Sequence, residues 1–454
     1  MRDRRRAMTV RTRPPGSEGD MKRLVPLILL FAAACAAPVR MPPEAVEENR
    51  LEILALAGEG RTTQAWEKYL ELVNRSGVSQ YPDLLFEIAT QTLRRGMREP
   101  HPEVRLQAVR SLRYADGGFA FEAAVVRLQD PDFAVRAAAV DLLLKSERPE
   151  AVKFIRPQLE PLPEEERELF ITDRLRAHEN LRMHALLALA VLTDMSLPVA
   201  PAVTAMSCSD TDTREVAARA LGEIGNHDAL PSLRYGLEED IEWQVNAASA
   251  EALLKLGERN LILDFAHEAA RSEYPEMVVW AIDLRQYHGL GPSVDWILDE
   301  GTYKRAPEMR ARAAVALGEM NATQAAPRLN EMLRHFEAIV RISAAYALAR
   351  LRDRPKIAVI LDATEFPDPE VRAKAVEYLV ALDSGRYVKV FRSLLEDPDA
   401  RVRLAATLAF QPDGIIPAEE TFKYLARPLG DENTTVKFAA AALIRSAWQR
   451  GTRE

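Results

Sequence analysis

The sequence is poor in cysteine and in aromatic residues. Its 454 residues include only 2 Cys, and Phe, Trp and Tyr together make up 7% of the chain. Two cysteines cannot build a disulfide-stapled scaffold, and their spacing offers no cysteine-based zinc or haem site. An excess of basic residues is also missing, because 60 Lys and Arg stand against 68 Asp and Glu. The formal charge of −8 argues against a general nucleic-acid binder, which would present a basic face.

An apolar run near the start of the chain is too short to cross a membrane. Lys22 and Arg23 precede 11 apolar residues, from Leu24 to Ala34, and Cys35 follows. A membrane-spanning helix needs about 20 residues. The order of charge, apolar run and small residues is typical of a secretory signal.

The end of this run, Ala32-Ala33-Ala34-Cys35, resembles the lipobox of bacterial lipoproteins, although the family usually has Leu where Ala32 stands. The resemblance implies that residues 1–34 are a leader and lipoprotein signal peptide and that Cys35 is lipidated. Residues 35–43 would then be a short, proline-stiffened tether. An ordinary secretory signal with a nearby Cys is the alternative, and Met21 is an alternative start.

The resemblance also implies an address. Ala36 stands where many lipoproteins retained at the inner membrane have Asp, so the periplasmic face of the outer membrane is favoured if the cell has two membranes. Removal of residues 1–34 leaves 52 basic and 65 acidic residues, a formal charge of −13. An acidic exported body suits neither nucleic-acid binding nor electrostatic adhesion to anionic lipid.

A pattern of Val-Arg followed by small residues repeats along the chain. Taking the Val as position zero, nine of the ten intervals between copies are 31–34 residues and one is 46. Small or apolar residues recur at positions four, five, seven and eight, which predicts one packed face of a helix. Asn246 and Val278 replace the Arg at position one, which predicts that units 5 and 6 are bent or specialised. The eleven starts are Val104, Val135, Leu181, Thr213, Val245, Met277, Met309, Val340, Val371, Val402 and Val436.

Helix-start signals stand just before position zero. Acidic residues occur three positions earlier, and Pro occurs two positions earlier in four copies. Both residue types favour a helix N-terminus, where the first amide groups lack internal partners. The acidic residues are Asp132, Asp210, Glu242, Glu337, Asp368 and Asp399.

The phased copies resemble HEAT repeats, particularly the variety found in phycobilisome lyases. The resemblance implies an all-α solenoid of about eleven two-helix repeats over residues 101–454, in which the Arg at position one pairs with acids of the neighbouring unit. Residues 44–100 predict about three helices that cap the first unit. We expect one elongated array, on the order of 100 Å long. The insertion at 157–173 predicts either a partner-binding loop, or a solvated loop or a longer first helix of the unit.

Catalytic signatures are absent from the sequence. HEAT-like units also build deoxyhypusine hydroxylase, in which His-Glu pairs at positions two and three hold iron. No copy here has His-Glu at those positions, and the dipeptides at His178 and His267 lie in other registers. We therefore predict no metal, no cofactor and no catalytic residue. A lyase-type enzyme or enzyme accessory remains the alternative.

Protein partners are the remaining expectation, since solenoids present extended binding surfaces. Trp280 at position three and Tyr346 at position six are predicted to be exposed aromatic anchors. His184 and Arg312 share position three with Trp280. These four residues are the candidate partner-binding site, with ordinary packing as the alternative. The sequence thus predicts a membrane-anchored, non-catalytic scaffold that binds proteins of the cell envelope.

Overall fold

A computed structural model describes residues 41–162, 172–193, 197–304, 306–352, 356–411 and 416–451. All regular secondary structure in these ranges is helical. Cys35, the leader and most of the tether lie outside the described residues. So does the middle of the insertion. No helix in the described ranges is long and apolar enough to cross a bilayer.

The eleven predicted repeat starts all fall within helices, which we call the inner helices of units 1 to 11. Each ends before the next unit begins, and together they confirm the repeat phasing. In order they are Pro102–Ser111, Phe133–Lys145, Thr172–Leu192, Thr211–Ile224, Trp243–Lys255, Pro275–His288, Pro307–Glu319, Ala338–Arg350, Pro369–Asp383, Ala400–Leu408 and Thr434–Gly451.

A shorter outer helix precedes most of the inner helices. A turn of a few residues joins the two, so each unit is a helical hairpin. The outer helices of units 1 to 11 are Pro82–Gly96, Gly117–Arg127, Val152–Ile155 with the 3₁₀ turn Arg156–Leu159, Ala200–Ala205, Leu230–Glu238, Arg259–Arg271, Val294–Asp299, Ala326–Met332, Ile357–Ala363, Val388–Leu394 and Ala418–Leu425.

Aspartate caps start several inner helices, as the sequence predicts. Asp132 accepts a hydrogen bond from the Val135 amide at 3.1 Å, and Asp210 accepts one from the Thr213 amide at 2.8 Å. Asp368 and Asp399 accept backbone amides in the same register. Glu242 and Glu337 also stand at the N-cap position of their helices, as predicted, but make no side-chain cap hydrogen bond. Asp, with its shorter side chain, is the preferred capping acid.

Inner helices of neighbouring units pack closely against one another, because small residues face the contacts. A Cβ added to Gly222 in unit 4 would lie 2.7 Å from the Ala252 Cα of unit 5. One added to Gly318 in unit 7 would lie 2.6 Å from the Ala347 Cα of unit 8. In the described ranges, outer helices of neighbouring units make no comparable contacts. The array therefore curves with the inner helices on its concave side. The sparsest inner-helix contact joins units 5 and 6, in line with the departures at Asn246 and Val278.

The Arg at position one ties neighbouring units together. Arg105 of unit 1 pairs with Asp130 of unit 2 at 2.8 Å and also donates to the carbonyls of Glu99 and Pro100 in its own turn. The partner acid stands five residues before position zero. Equivalent pairs join Arg214 to Asp240, Arg372 to Asp397 and Arg403 to Asp431. These contacts confirm the pairing with a neighbouring unit in four copies, and we call the series the Arg–Asp ladder. Other copies differ: Arg182 pairs with Glu179 of its own helix, and Arg341 donates to the carbonyls of its own turn.

The described part of the insertion lengthens unit 3. Its first residues complete the 3₁₀ turn Arg156–Leu159, and its last residues begin an inner helix of 21 residues, the longest in the array. The last residues of the insertion thus extend the inner, second helix of the unit at its N-terminal end, rather than the first helix that the sequence offered as an alternative.

Two further helices precede unit 1: α1 (Pro43–Gly58) and α2 (Thr62–Ser76). The predicted cap thus contains three helices, as expected, but its third helix is the outer helix of unit 1. The predicted capping role is wrong in one respect. The outer helix of unit 1 packs mainly on the inner helix of unit 11, rather than only on its own inner helix.

The two ends of the array meet, so the solenoid closes into a ring. The inner helix of unit 11 contacts both helices of unit 1. The Trp66 indole donates to the Ala426 carbonyl at 2.7 Å, and the rings of Phe86 and Trp448 stack at 5.1 Å. Gly430 lies so close to Trp66 that an added Cβ would be 2.2 Å from the indole ring.

A buried ion pair lies at the centre of this closure. Arg445 of unit 11 donates to Asp116 at 2.9 Å and to the Thr90 hydroxyl, and both charged side chains are nearly inaccessible to water. Its guanidinium lies between the rings of Phe86 and Phe119, at 4.7 Å and 3.8 Å from their centroids. Burial lowers the pKa of Arg445.

Closure corrects the prediction of an elongated array. Eleven inner helices spaced about 8–10 Å apart enclose a circumference of about 100 Å, so opposite helix axes are roughly 30 Å apart. The length measured along the array agrees with the expected value, but the array is closed into a circle. A ring needs no polar end caps, because each unit has a neighbour on both sides.

Candidate protein-binding surface on the inner wall

The inner wall of the ring is formed by positions three, six and ten of the inner helices. Positions four, five, seven and eight face the core, where their side chains are mostly buried. Two of the predicted site residues, His184 and Arg312, stand at position three and are partly exposed on this wall.

His184 and Arg312 make equivalent contacts. His184 Nδ1 of unit 3 lies 2.7 Å from Asp141 at position six of unit 2. Arg312 of unit 7 donates to Asp283 at position six of unit 6 and to Gln286 at 2.9 Å. Burial raises the pKa of Asp283. The signal for these pairs is in the sequence: a base at position three follows an acid at position six one repeat earlier.

Position ten provides a second link across the wall. Lys255 of unit 5 pairs with Glu223 of unit 4, and Arg350 of unit 8 pairs with Glu319 of unit 7 at 3.1 Å. Tyr287, at position ten of unit 6, is largely exposed beside Arg312, whose guanidinium lies 6.0 Å from the ring. Sequence reasoning did not select Tyr287, although its position is the one that faces the wall.

Trp280 and Tyr346, the other two predicted site residues, are buried. Trp280 is 8% exposed and packs edge-on against Phe265 at 5.6 Å, in the outer helix of its own unit. The prediction that it is exposed is wrong, because the large indole turns from the wall toward this ring. It belongs to the core.

Tyr346 is 4% exposed and is likewise not an exposed anchor. Its ring stacks on Tyr378 of unit 9 at 4.5 Å, and its hydroxyl donates to Glu319 of unit 7. Burial and this hydrogen bond raise the pKa of Tyr346. The residue therefore joins three consecutive units instead of offering a free surface.

A groove of about 550 Å³ opens on the inner wall across units 1 to 4. Arg219 pairs with Glu215 at 2.7 Å, and His184 pairs with Asp141. Within the described ranges, three further cations of the groove have no ion-pair partner within 4.0 Å. The three cations are Arg110, Arg113 and Lys145. With four Lys and Arg against three Asp and Glu, and His184 neutral, the groove has a formal charge of +1 and is weakly basic in an otherwise acidic protein.

The arrangement of charges on the inner wall can bind acidic groups. Unpaired guanidinium and ammonium groups on a concave wall offer charge-assisted hydrogen bonds to carboxylates of a partner. The described residues contain no group of three or more His, Cys, Asp or Glu side chains placed to hold a metal ion. His178 of unit 3 packs edge-on against Phe133 of unit 2 at 5.1 Å, and His267 is exposed on the outer helix of unit 6, so the two His-Glu dipeptides do not converge.

Comparisons with known proteins identify the repeats. HEAT repeats match residues 168–254 and 357–445, and the PBS lyase HEAT-like repeat matches residues 309–335. The chain thus contains HEAT repeats, and its fold is the predicted all-α solenoid. No curated protein sequence matches the chain significantly.

Solved structures that resemble the chain include three kinds of helical-repeat protein. The complex of CpcE and CpcF of phycocyanin lyase from Nostoc sp. is 20% identical, with a TM-score of 0.25, over 64% of this chain and 86% of that chain. Human deoxyhypusine hydroxylase is 21% identical, with a TM-score of 0.26, over 57% and 95%. Kap95p, in its structure with RanGDP, is 12% identical, with a TM-score of 0.35, over 80% and 55%.

Proposed function

We propose that this protein is a lipid-anchored scaffold of the bacterial cell envelope that binds a partner protein on its inner wall and catalyses no reaction itself. The observation that carries the proposal is the basic groove across units 1 to 4. Arg110, Arg113 and Lys145 are held on helices and lack ion-pair partners within the chain. A partner segment that carries carboxylates would supply those ion pairs. The lipobox at Cys35 supports the anchor.

Site-specific photo-cross-linking tests the binding surface. A photo-reactive amino acid at Lys145 places the probe in the groove, and the same residue at Lys389 places it on the outer helix of unit 10 as a matched control. In cells that produce the full chain, we expect a discrete protein adduct from position 145 and little from position 389. Changing Arg110 and Arg113 to Glu should reduce the adduct at least tenfold. Equal adducts at both positions would contradict the proposal.

The anchor is tested separately. The resemblance to the lipobox implies that the Cys35 sulfur is acylated. The Cys35→Ser variant should therefore lose labelling by an alkyne fatty acid and leave the membrane fraction. A Cys208→Ser variant is the matched control and should keep both properties. A Cys35→Ser protein that stays in the membrane would refute the anchor and leave the groove unaffected.

The proposed lack of catalysis is open to a direct test as well. Steady turnover by the purified full chain, with no partner protein added, would favour the lyase-type alternative. Loss of that turnover in a groove variant would place the chemistry on the inner wall.

A further inference from the structure

The turns that join each outer helix to its inner helix lie side by side along one rim of the ring. Arg214 shows this arrangement, since it donates to the Cys208 carbonyl in the turn of unit 4 at 2.9 Å and to Asp240 in the turn of unit 5 at 2.7 Å. Side chains carried by successive turns are therefore neighbours along the rim.

Five large apolar side chains are exposed on the turns of units 5 to 8. Ile241 is 91% exposed and Phe336 is 80% exposed, and all five lie in turns or at the first residue of an inner helix. We call this set the apolar rim: Ile241, Trp243, Tyr274, Tyr303 and Phe336. Elsewhere in the described ranges, the turns of this rim carry no exposed large apolar side chain. A series of exposed large apolar side chains along one rim is a candidate interaction surface.

The Arg–Asp ladder is interrupted along the same units. Asn246 of unit 5 donates to the carbonyls of Gly236, Leu237 and Asp240, all in its own unit, and Val278 of unit 6 has no polar group to offer. The position of the ladder Asp is held by Ser272 in unit 6 and Lys304 in unit 7. The ladder Asp is also missing in units 3 and 4, where Arg176 and Cys208 hold the position, so the exposed apolar series overlaps only part of the broken ladder.

Neighbouring groups hold two of the rim aromatics in place. The Arg328 guanidinium lies 3.4 Å from the centroid of the Tyr303 ring. His335 stacks on Phe336 at 4.4 Å. A side chain fixed before binding loses less conformational entropy when a partner arrives.

The charge around the apolar rim is strongly acidic. The four turns, residues 238–243, 271–276, 299–308 and 333–338, contain ten Asp and Glu residues against four Lys and Arg. Asp240 is engaged by Arg214, and most of the others are exposed, including Glu238, Glu239 and Glu273. A partner that fits this surface has apolar side chains for the rim and basic side chains for the flanking carboxylates.

The N-terminus of α1 lies on the side of the ring opposite the apolar rim. Arg95, next to the turn of unit 1, donates to the Gly60 carbonyl just after α1 at 2.6 Å. Arg50, earlier in α1, pairs with Asp83 at the start of the outer helix. The first residue of α1 therefore lies away from the turns. If Cys35 carries the proposed lipid, on which this step alone rests, the apolar rim points away from the bilayer.

We propose that the apolar rim of units 5 to 8 is a second docking surface, which binds a segment of a partner protein that carries both apolar and basic side chains. It lies outside the groove of units 1 to 4 and has the opposite charge. One scaffold would thus hold two kinds of segment, an acidic one on the inner wall and a basic one on the rim.

The experiment measures binding of two designed peptides to the full chain in detergent micelles. The first peptide is an amphipathic helix of leucine, tryptophan and lysine, and the second has glutamate in place of every lysine. We expect the lysine peptide to bind at least tenfold more tightly to wild type than to an Ile241→Ser/Phe336→Ser variant. Its affinity should also fall at least fivefold in a Glu238→Lys/Glu239→Lys variant.

Matched variants control for general stickiness and net charge. Leu51→Ser/Leu54→Ser removes exposed apolar side chains of α1, and Glu419→Lys/Glu420→Lys changes the same charge on the outer helix of unit 11. Both should bind the lysine peptide as wild type does. Because the altered residues are exposed, circular dichroism should show unchanged folding.

Three outcomes would overturn the proposal. One is equal binding of the glutamate peptide. Another is loss of binding in the control variants that matches the loss in the rim variants. The third is binding of phosphatidylethanolamine–phosphatidylglycerol vesicles, or self-association of the chain, that depends on Ile241 and Phe336 while the lysine peptide does not bind. The Arg110→Glu/Arg113→Glu variant separates the two surfaces, since it should leave binding of the lysine peptide intact.

Discussion

Two arcs of the ring use the same repeat differently. In the ladder arc, units 9 to 11 with units 1 and 2, buried Arg–Asp pairs join successive turns and the turn residues are polar or buried. In the apolar arc, units 5 to 8, the ladder is broken and large apolar side chains face solvent. The inner helices continue through both arcs. Repeat packing therefore specifies the ring, while the turns are free to vary for binding.

The largest expected effect concerns the closure within the ladder arc. Arg445→Met leaves Asp116 buried without its partner, and breaking a buried pair in this way costs about 3–5 kcal/mol. We expect a large drop in the urea midpoint and faster hydrogen exchange in α1, α2 and unit 11. Asp116 also caps the outer helix of unit 2, where it accepts the Phe119 amide at 2.9 Å. Asp116→Asn added to Arg445→Met should restore part of the loss, because the neutral side chain keeps an oxygen for this bond and removes the buried charge.

Arg401→Met is the matched control for the closure. Arg401 pairs with Asp399 at the surface of unit 10, with both groups open to water, so no measurable loss of stability is expected. If Arg445→Met and Arg401→Met unfold at the same urea concentration, the ends of the array are not held together by this pair.

A pair of tryptophans separates core from surface within the apolar arc. Trp280→Ala should lose about 3–5 kcal/mol of stability, as expected for truncation of a buried aromatic. Trp243→Ala should lose about 1 kcal/mol, because part of its ring is already in water. Thermal unfolding of the two variants measures the difference. A Trp243→Ala loss as large as that of Trp280→Ala would show that Trp243 is part of the core.

The ladder can be extended into the apolar arc to ask why it stops there. Val278→Arg alone should destabilise by about 1–3 kcal/mol, because a larger and charged side chain enters a packed site. Adding Lys304→Asp supplies the missing acid of unit 7, and we expect a favourable coupling of about 1 kcal/mol in a double-mutant cycle. Additive effects of the two changes would mean that backbone geometry, rather than side-chain identity, ends the ladder.

The smallest expected effect is a difference in pH dependence between the arcs. Burial, together with the neighbouring Arg310, lowers the pKa of His335 in unit 8. The unfolded His binds a proton near pH 6.5 while the folded one stays neutral, so the fold loses stability as the pH falls below about 6.5. Amide exchange in unit 8 should therefore accelerate between pH 7.5 and 5.5, after correction for intrinsic rates.

The ladder arc provides the contrast in the same experiment. Units 10 and 11 contain no His, the residue type whose charge ordinarily changes in this window, so they should show no such change. A His335→Asn variant should lose the pH dependence in unit 8. Acceleration that persists in this variant would assign the effect to another group.

The regular part of the fold follows from the sequence because it is local. A spacing of about 31–34 residues phases all eleven inner helices, and Asp at the start of a helix acts within three residues of itself. Even the longer interval is interpretable, since part of it forms the early turns of the unit 3 inner helix. In each case the physical cause lies within one repeat.

The candidate site was predicted only in part, because exposure depends on neighbouring units. Positions three and six do face the inner wall, and His184 and Arg312 lie there. Trp280 and Tyr346 share those positions but are covered, the first by Phe265 and the second by Tyr378 and Glu319. The exposed aromatics on the rim do not recur at a fixed position of the repeat. They stand in turns, where the packing of the repeat does not require a particular residue type.

Closure has a consequence for how the chain acquires its structure. Most contacts of a repeat array join residues less than one repeat apart, and such contacts form quickly. The pair Arg445–Asp116 instead joins residues 329 apart in the sequence. The first unit must therefore wait, with an apolar face uncovered, until the last helix has been synthesised. If the chain is exported, as we propose, this interval falls during or after translocation. The uncovered apolar face of unit 1 is then the surface that a chaperone would cover.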